Sequence, residues 1–143
     1  MQGPVLVRGA LKYLDSPTPL LSSGALQTLY FMKAHFDWKL NPAMRARMDD
    51  EVDKHADRLL ATRNRDILQP LALYLGGWKT DRSRDLLWRM VEEGTTREQA
   101  LICLTWIADP RDFEKLAKYN NTGNLSYHLN RAYGAAADRY LKK

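Results

Sequence analysis

The sequence predicts an all-α fold in which about seven to eight helices stack as antiparallel pairs. Apolar residues recur at helical spacing, and no segment keeps the period-two alternation of a β-strand. Residues 100–108 are apolar on more than one face, which is typical of a helix packed between neighbours on both sides. Start signals for helices recur along the chain, at Ser23, Asn41, Asn64, Asp81, Thr95, Asp109 and Asn124.

The first two helices are separated by a proline-rich joint. Residues 5–14 have the spacing of a helix, and the segment 15–19, with Pro17 and Pro19, should end it. We expect Ser22 or Ser23 to cap the second helix, because a serine side chain accepts hydrogen bonds from free amides. That helix should run to about residue 37.

The third and fourth helices each follow an asparagine. Asn41 precedes Pro42, and a proline in the first helical turn loses no needed hydrogen-bond donor. Asn64 should cap the fourth helix in the same way. Pro70 lies inside the fourth helix and should bend it, and the glycine pair at 76–77 should end it.

The remaining helices have equally local signals. Thr80 or Asp81 should start the fifth helix and Gly94 should stop it. Residues 95–99 contain a capping-box pattern for the sixth. Residues 109–112 end the sixth helix and begin the seventh. The last helix follows the loop 120–124 and has apolar residues at Leu125, Leu129, Ala132, Tyr133, Ala136 and Tyr140.

Composition narrows the function classes. The chain has 143 residues, of which 45% are hydrophobic and 27% charged, a balance that excludes a disordered chain. No apolar run is long enough to cross a bilayer and no signal peptide is visible, so we predict no membrane partner and a cytoplasmic location. Residues 1–143 should form one domain, either complete or cut from a longer array.

No catalytic or metal-binding pattern is visible, and we predict neither a cofactor nor a metal. The single cysteine, Cys103, lies in an apolar helical run, where a buried and unreactive thiol is expected. His35, His55 and His128 fall on different helices without ligand spacing. The acidic run 49–53 lacks the glycine and terminal glutamate of a calcium loop. The sequence leaves open whether the chain is an enzyme, although it favours a protein without enzymatic activity.

Residues 96–116 resemble a HEAT or HEAT-like repeat. In that family an apolar first helix often closes with a small residue followed by Asp-Pro-Arg, as Ala108, Asp109, Pro110 and Arg111 do here. The resemblance weakens over 64–93 and is only organisational over 23–60. It implies a right-handed α-solenoid in which Arg111 braces neighbouring repeats and the concave face serves as a binding surface.

Two tryptophan-lysine pairs at helix joints are candidate interaction residues. Aromatic residues and arginine dominate interface hot spots, whereas tryptophans within helices, such as Trp88 and Trp106, are better explained by the core. The candidate surface therefore comprises Trp38, Lys39, Trp78, Lys79, Arg82 and Arg111.

Two functions fit the sequence, and a third has less support. The first is a non-catalytic module for protein-protein interaction or scaffolding, with a protein partner of unknown identity. The alternative is a nucleic-acid-binding protein, favoured by the net charge of +5 and by the existence of HEAT-like alkylpurine DNA glycosylases. Dispersed Lys and Arg are more typical of a solvated surface. Chromophore-lyase activity, known among HEAT-like proteins, has no supporting residue here.

Overall fold

The protein is all-helical throughout the part that the structure describes. A computed structural model describes residues 3–119 and 123–141, with side chains at 5–38, 40–119 and 125–135. These residues form eight α-helices and no β-strand. The helices are α1 (Gly3–Tyr13), α2 (Pro19–His35), α3 (Pro42–Ala61), α4 (Arg65–Trp78), α5 (Asp81–Glu93), α6 (Arg97–Ile107), α7 (Phe113–Ala117) and α8 (Gly123–Leu141), with 3-10 turns at Asp37–Lys39 and Pro110–Asp112.

The helices form two rows, which confirms the predicted stack. In the even row, α2 packs on α4, α4 on α6 and α6 on α8. The odd row consists of α1, α3, α5 and α7. The backbones of α3 and α5, and of α5 and α7, stay further apart than those of neighbours in the even row. The even row is therefore the more closely packed of the two rows.

One hydrophobic core runs between the rows from α1 to α8. Its centre is α4 and α6, in which Leu71, Leu75 and Leu104 are fully buried. Burying one leucine side chain contributes about 1.5–3 kcal/mol. As predicted for residues 100–108, α6 has neighbours on several sides, because it packs against α4, α5 and α8.

Four predicted helix boundaries are confirmed by their hydrogen bonds. Asn41 accepts from the Met44 amide at 2.8 Å, and Asn64 accepts from the Asp66 amide at 2.9 Å. Thr80 forms a reciprocal capping box with Ser83 at the start of α5. Gly94 ends α5 with a φ of 97°, in the left-handed region that favours glycine.

The predicted serine cap of the second helix is wrong. The helix begins earlier, at Pro19, because proline in the first turn already has the backbone angle that a helix needs. Ser22 and Ser23 are therefore buried inside α2. The Ser23 hydroxyl donates to the backbone carbonyl of Asp66 at 2.6 Å, so it ties α2 to α4 instead of capping a helix.

The glycine pair does not end the fourth helix. Instead α4 continues to Trp78 and ends where Lys79 adopts a left-handed conformation, with φ 59°. Gly76 serves helix packing, since a Cβ atom there would lie 2.9 Å from both Cys103 Cβ and Trp106 Cε3 on α6. A side chain at this position would hold α4 and α6 further apart.

Two later expectations also need correction. The capping box predicted in 95–99 does not form: α6 starts at Arg97, and the hydroxyl of Thr96 is buried without a hydrogen-bond partner among the described residues. The seventh helix is a 3-10 turn followed by five residues of α-helix. Residues 120–122 of the predicted loop lie outside the described part of the chain.

Candidate ligand-binding groove

A long groove follows the exposed side of the even row. It consists of two cavities, of about 780 Å³ and 500 Å³. The first lies between α2 and α4, and the second between α4, α6 and α8, with α2 at its edge. Tyr30 and Leu73 line both cavities, so the two form one continuous surface, which we name the even-row groove.

The end of the groove near the start of α4 is largely apolar. Leu20, Phe31, Pro70 and Leu73 line this cavity. Leu20 is 81% exposed and Phe31 is 50% exposed, a high value for large apolar side chains in a helix. Asp66 is the acidic residue among the lining residues. Exposed apolar groups of this kind gain free energy when a ligand covers them.

The other end of the groove is basic and aromatic. Lys79, His128 and Arg131 line the second cavity together with Tyr30 and Trp106, and none of the described lining residues is acidic. The Trp106 and His128 rings meet edge to face, with centroids 6.5 Å apart. A concave surface with uncompensated cations attracts anionic groups.

Local chain geometry places these basic and aromatic groups. The left-handed conformation of Lys79 ends α4 beside the cavity, and its amide donates to the Leu75 carbonyl. Gly76 allows α6 to approach α4, which brings Trp106 to the cavity wall. His128 and Arg131 are three residues apart on α8 and so share one helix face.

The odd row, by contrast, is linked by charged side chains. Between α3 and α5, Arg82 donates to Asp53 and Arg89 donates to Asp57, both at 2.6 Å. The hydrogen bond from Arg89 lowers the pKa of Asp57 below its ordinary value. Long arginine side chains thus span the wider space between these two helices.

The link from α5 to the turn before α7 centres on Asp112. This carboxylate is buried and accepts two hydrogen bonds from Arg84, each 2.7 Å long, and one from the Trp88 indole at 3.0 Å. Lys115 on α7 lies 4.1 Å from the centre of the Trp88 ring. These hydrogen bonds engage both carboxylate oxygens of Asp112, which indicates a structural role.

Arg111 connects the same elements at the surface. It donates to Asp109 at 2.7 Å and to Asp81 at the start of α5 at 2.8 Å. The hydrogen bond from Arg111 lowers the pKa of Asp109 to about 2 and also lowers the pKa of Asp81. Arg111 is therefore held by two carboxylates.

The predicted interaction residues occupy different environments. Trp38 is 77% exposed, whereas Trp78 is half-buried against the core. Lys79 lines the even-row groove, and the Arg82 side chain is bound to Asp53. Lys39 lies in the 3-10 turn after α2, and its side chain is outside the described part. A binding role for these residues remains a prediction.

Sequence reasoning missed most of the groove. Tyr30, Trp106, His128 and Arg131 come together only because α2, α6 and α8 share a row. Trp106 was expected in the core, and it does pack there with one side while lining the cavity with another. The one signal for them in the sequence is that each of these residues lies on a helix of the even row.

The single cysteine of the chain is buried. Burial raises the pKa of the Cys103 thiol to about 12, so this cysteine is protonated and unreactive, as its apolar setting predicts. Across residues 3–119 and 123–141, no group of three His, Cys, Asp or Glu side chains is positioned to hold a metal ion. Within the same ranges, no helix combines the length and hydrophobicity needed to cross a membrane.

The described residues therefore form an all-helical stack with an open groove along its even row. Comparison of the chain with family models, with curated proteins and with solved structures gives no match in any of the three.

Proposed function

We propose that this protein is a non-catalytic interaction module that binds an extended segment of a partner protein in the even-row groove. The observation that carries the proposal is the continuity of the groove across three helix interfaces, through Tyr30 and Leu73. Stacked helices offer such surfaces for distributed contacts. The described part of the groove contains no pairing of nucleophile and base that would support a reaction instead.

The polarity of the groove suggests the chemistry of the bound segment. Apolar side chains would cover Leu20, Phe31 and Pro70 at one end. Acidic side chains would lie near Lys79 and Arg131 at the other. A segment with an apolar half and an acidic half therefore matches the groove in one orientation.

The test uses labelled synthetic peptides that carry an apolar half and an acidic half, with fluorescence anisotropy on the full chain. Phe31→Ser and Arg131→Glu each change an exposed groove residue and should weaken binding about tenfold, a loss of ~1.4 kcal/mol. Arg47→Glu makes the same charge change on the exposed face of α3 and should leave binding unchanged. Equal losses in all three variants, or no binding to wild type, would reject the proposal.

Nucleic acid is a second candidate, favoured by one observation. Three basic residues and two aromatic rings share a cavity with no acidic lining residue among those described. Cations contact phosphates and aromatic rings stack on bases. No motif of the HEAT-like DNA glycosylases can be matched residue by residue, so glycosylase chemistry is not part of this candidate.

Salt dependence separates the two candidates. Neutralising several phosphates makes affinity fall steeply with salt concentration. Retention on single-stranded or duplex DNA that drops sharply between 50 and 200 mM salt, and that Arg131→Glu abolishes, would favour nucleic acid; the salt range is roughly that in which such contacts are lost. Absence of retention at low salt would remove this candidate.

A further inference from the structure

A second groove lies at the α1–α2 end of the stack, apart from the basic end of the even-row groove. It runs between α1 and α2 and has a volume of about 370 Å³. Its walls include Val5, Leu6, Tyr13 and Leu21, which are 59%, 49%, 45% and 43% exposed. We name this surface the end groove. Along α4 to α7 the structure shows no comparably exposed large apolar side chain among the described residues.

The floor of the end groove is made of small residues. Gly9 and Ala10 of α1 face Gly24 and Ala25 of α2. A Cβ atom added at Gly9 or at Gly24 would meet nothing within 4 Å, so open space lies directly above both backbones. Small floors let another backbone approach closely, and ridges of larger side chains on both sides suit the shape of a helix.

Within the stack, helices cover the other side of the α1–α2 pair. On its inner flank the α1–α2 pair is covered by helices, since α1 packs on α3 and α2 packs on α4. The end groove is the opposite flank of the same pair. A concave surface between two helices matches a third helix better than it matches the flat surface of a bilayer.

Charge identifies the kind of helix. Arg8 and Lys12 are exposed one turn apart on α1, and the Lys12 ammonium lies 5.9 Å from the centre of the Tyr13 ring in the groove wall. Neither α1 nor α2 contains an acidic residue. The one acidic residue in residues 1–36 is Asp15, and it lies 3.3 Å from Arg58 on α3. A second copy docked face to face would bring Arg8 and Lys12 against their own counterparts, which is unfavourable.

We propose that the end groove binds an acidic amphipathic helix of a partner protein. Its apolar face covers Leu6, Tyr13 and Leu21, and its carboxylates lie near Arg8 and Lys12. Leu20 also lines the apolar end of the even-row groove, so the tests below change Arg8, Lys12 and Gly24, none of which lines that groove.

The test compares two synthetic helices that share one apolar face and differ only in their polar face, glutamate in one and lysine in the other. Fluorescence anisotropy on the full chain should show at least tenfold tighter binding of the glutamate helix. The double variant Arg8→Glu, Lys12→Glu should reverse that preference, because it replaces two positive charges with two negative ones. Both residues are exposed, so the fold should tolerate the changes.

A groove-filling variant tests the location. Gly24→Leu should reduce binding at least tenfold, because its side chain would occupy the open floor. Gly134→Leu on α8 is the matched control, since a Cβ there also meets nothing within 4 Å and Gly134 does not line the end groove. Both variants replace glycine within a helix, so both should raise the melting temperature, which separates lost binding from lost folding.

Several outcomes would overturn the proposal. Equal binding of both synthetic helices, or unchanged binding by Gly24→Leu, would show that the groove does not select an acidic helix. Self-association that Gly24→Leu abolishes, seen by light scattering, would assign the groove to a second copy. Binding to vesicles of anionic phospholipid, without binding to the glutamate helix, would assign it to a membrane surface.

Discussion

The two rows of helices are held together in different ways. In the even row, α2, α4 and α6 lie close enough for apolar side chains to pack directly, and Gly76 allows α4 and α6 to approach closely. In the odd row, α3, α5 and α7 stand further apart and are connected by arginine-carboxylate pairs. We expect the close packing of the even row to contribute most of the stability, and the exposed charged links of the odd row to contribute less.

This difference is the reason why we propose the even row as the binding surface. Apolar and aromatic side chains that pack the even row remain partly exposed on its open side, as Trp106 and Tyr30 do. In the odd row the polar groups are already bound to one another, as Asp112 is to Arg84 and Trp88.

The largest expected effect is in the centre of the even row. Leu71→Ala removes a fully buried side chain from α4 and should reduce the free energy of unfolding by about 2–5 kcal/mol, measured by urea denaturation. Leu20→Ala is the control, because Leu20 is 81% exposed. Its effect should stay within about 0.5 kcal/mol. Similar losses in both variants would contradict the role given to packing.

The buried charged link of the odd row should come next. Asp112→Ala leaves the Arg84 guanidinium and the Trp88 indole without their shared acceptor. We expect a loss of about 2 kcal/mol, below the usual range for breaking a buried pair, because Asp81 and Asp109 remain near Arg84. Glu114→Ala, an exposed neighbour, should have almost no effect in the same denaturation experiment. A neutral Asp112→Ala variant would show that this link is dispensable.

The glycine pair gives a test in which the sign of the effect matters. Gly76→Ala should destabilise by about 1 kcal/mol, since crowding against Cys103 and Trp106 outweighs the gain in helix propensity. Gly77→Ala should stabilise by up to about 1 kcal/mol, because a Cβ there meets nothing within 4 Å. Thermal melts of the two variants should therefore shift in opposite directions. Shifts of the same sign would mean that α4 and α6 are not in close contact at Gly76.

Acid should weaken the odd row in a defined range of pH. The pKa of Asp109 is about 2 in the folded state against an ordinary value of 3.8, so its stabilising contribution is complete above pH 4. It is lost as the pH falls towards 2, when the carboxylate is protonated and Arg111 loses this partner. Urea denaturation at several pH values should show a shallower loss in Asp109→Asn than in wild type. An identical pH dependence would contradict this assignment.

The smallest effect is expected for an exposed pair. Arg89→Ala removes the hydrogen bond to Asp57 between α3 and α5 and should cost less than about 1 kcal/mol, falling further at high salt. A double-mutant cycle with Asp57→Ala measures the coupling directly. A coupling as large as the effect of Asp112→Ala would erase the distinction between exposed and buried links.

The sequence predicted what local chemistry determines. Asn41, Asn64 and Thr80 cap helices because their side chains reach amides two or three residues away, and Gly94 ends a helix through its own backbone angle. Prediction from the sequence failed where a contact between residues far apart in the chain determines the role of a side chain. Gly76 belongs to the contact with α6, and Ser23 is bound to the carbonyl of Asp66.

The groove lay largely beyond reach for the same reason. Trp106 and Arg131 line the same cavity because α6 and α8 are adjacent in the even row. The spacing of residues within one helix does not predict this arrangement. Lys79 was selected from the sequence and does line the groove, whereas Arg82 and Arg111 are bound to carboxylates of neighbouring elements. Membership of the HEAT family and the right-handed sense of the stack remain predictions.

Amide hydrogen exchange, followed by mass spectrometry at low and at 1 M salt, tests the difference between the rows most directly. If apolar packing stabilises the even row, the amides of α4 and α6 should exchange slowest and at the same rate in both salt conditions. The amides of α3 and α5 should exchange faster in 1 M salt, because salt screens the charged links of the odd row. Exchange in α4 and α6 that is as fast as in α3, or that accelerates equally with salt, would contradict the account.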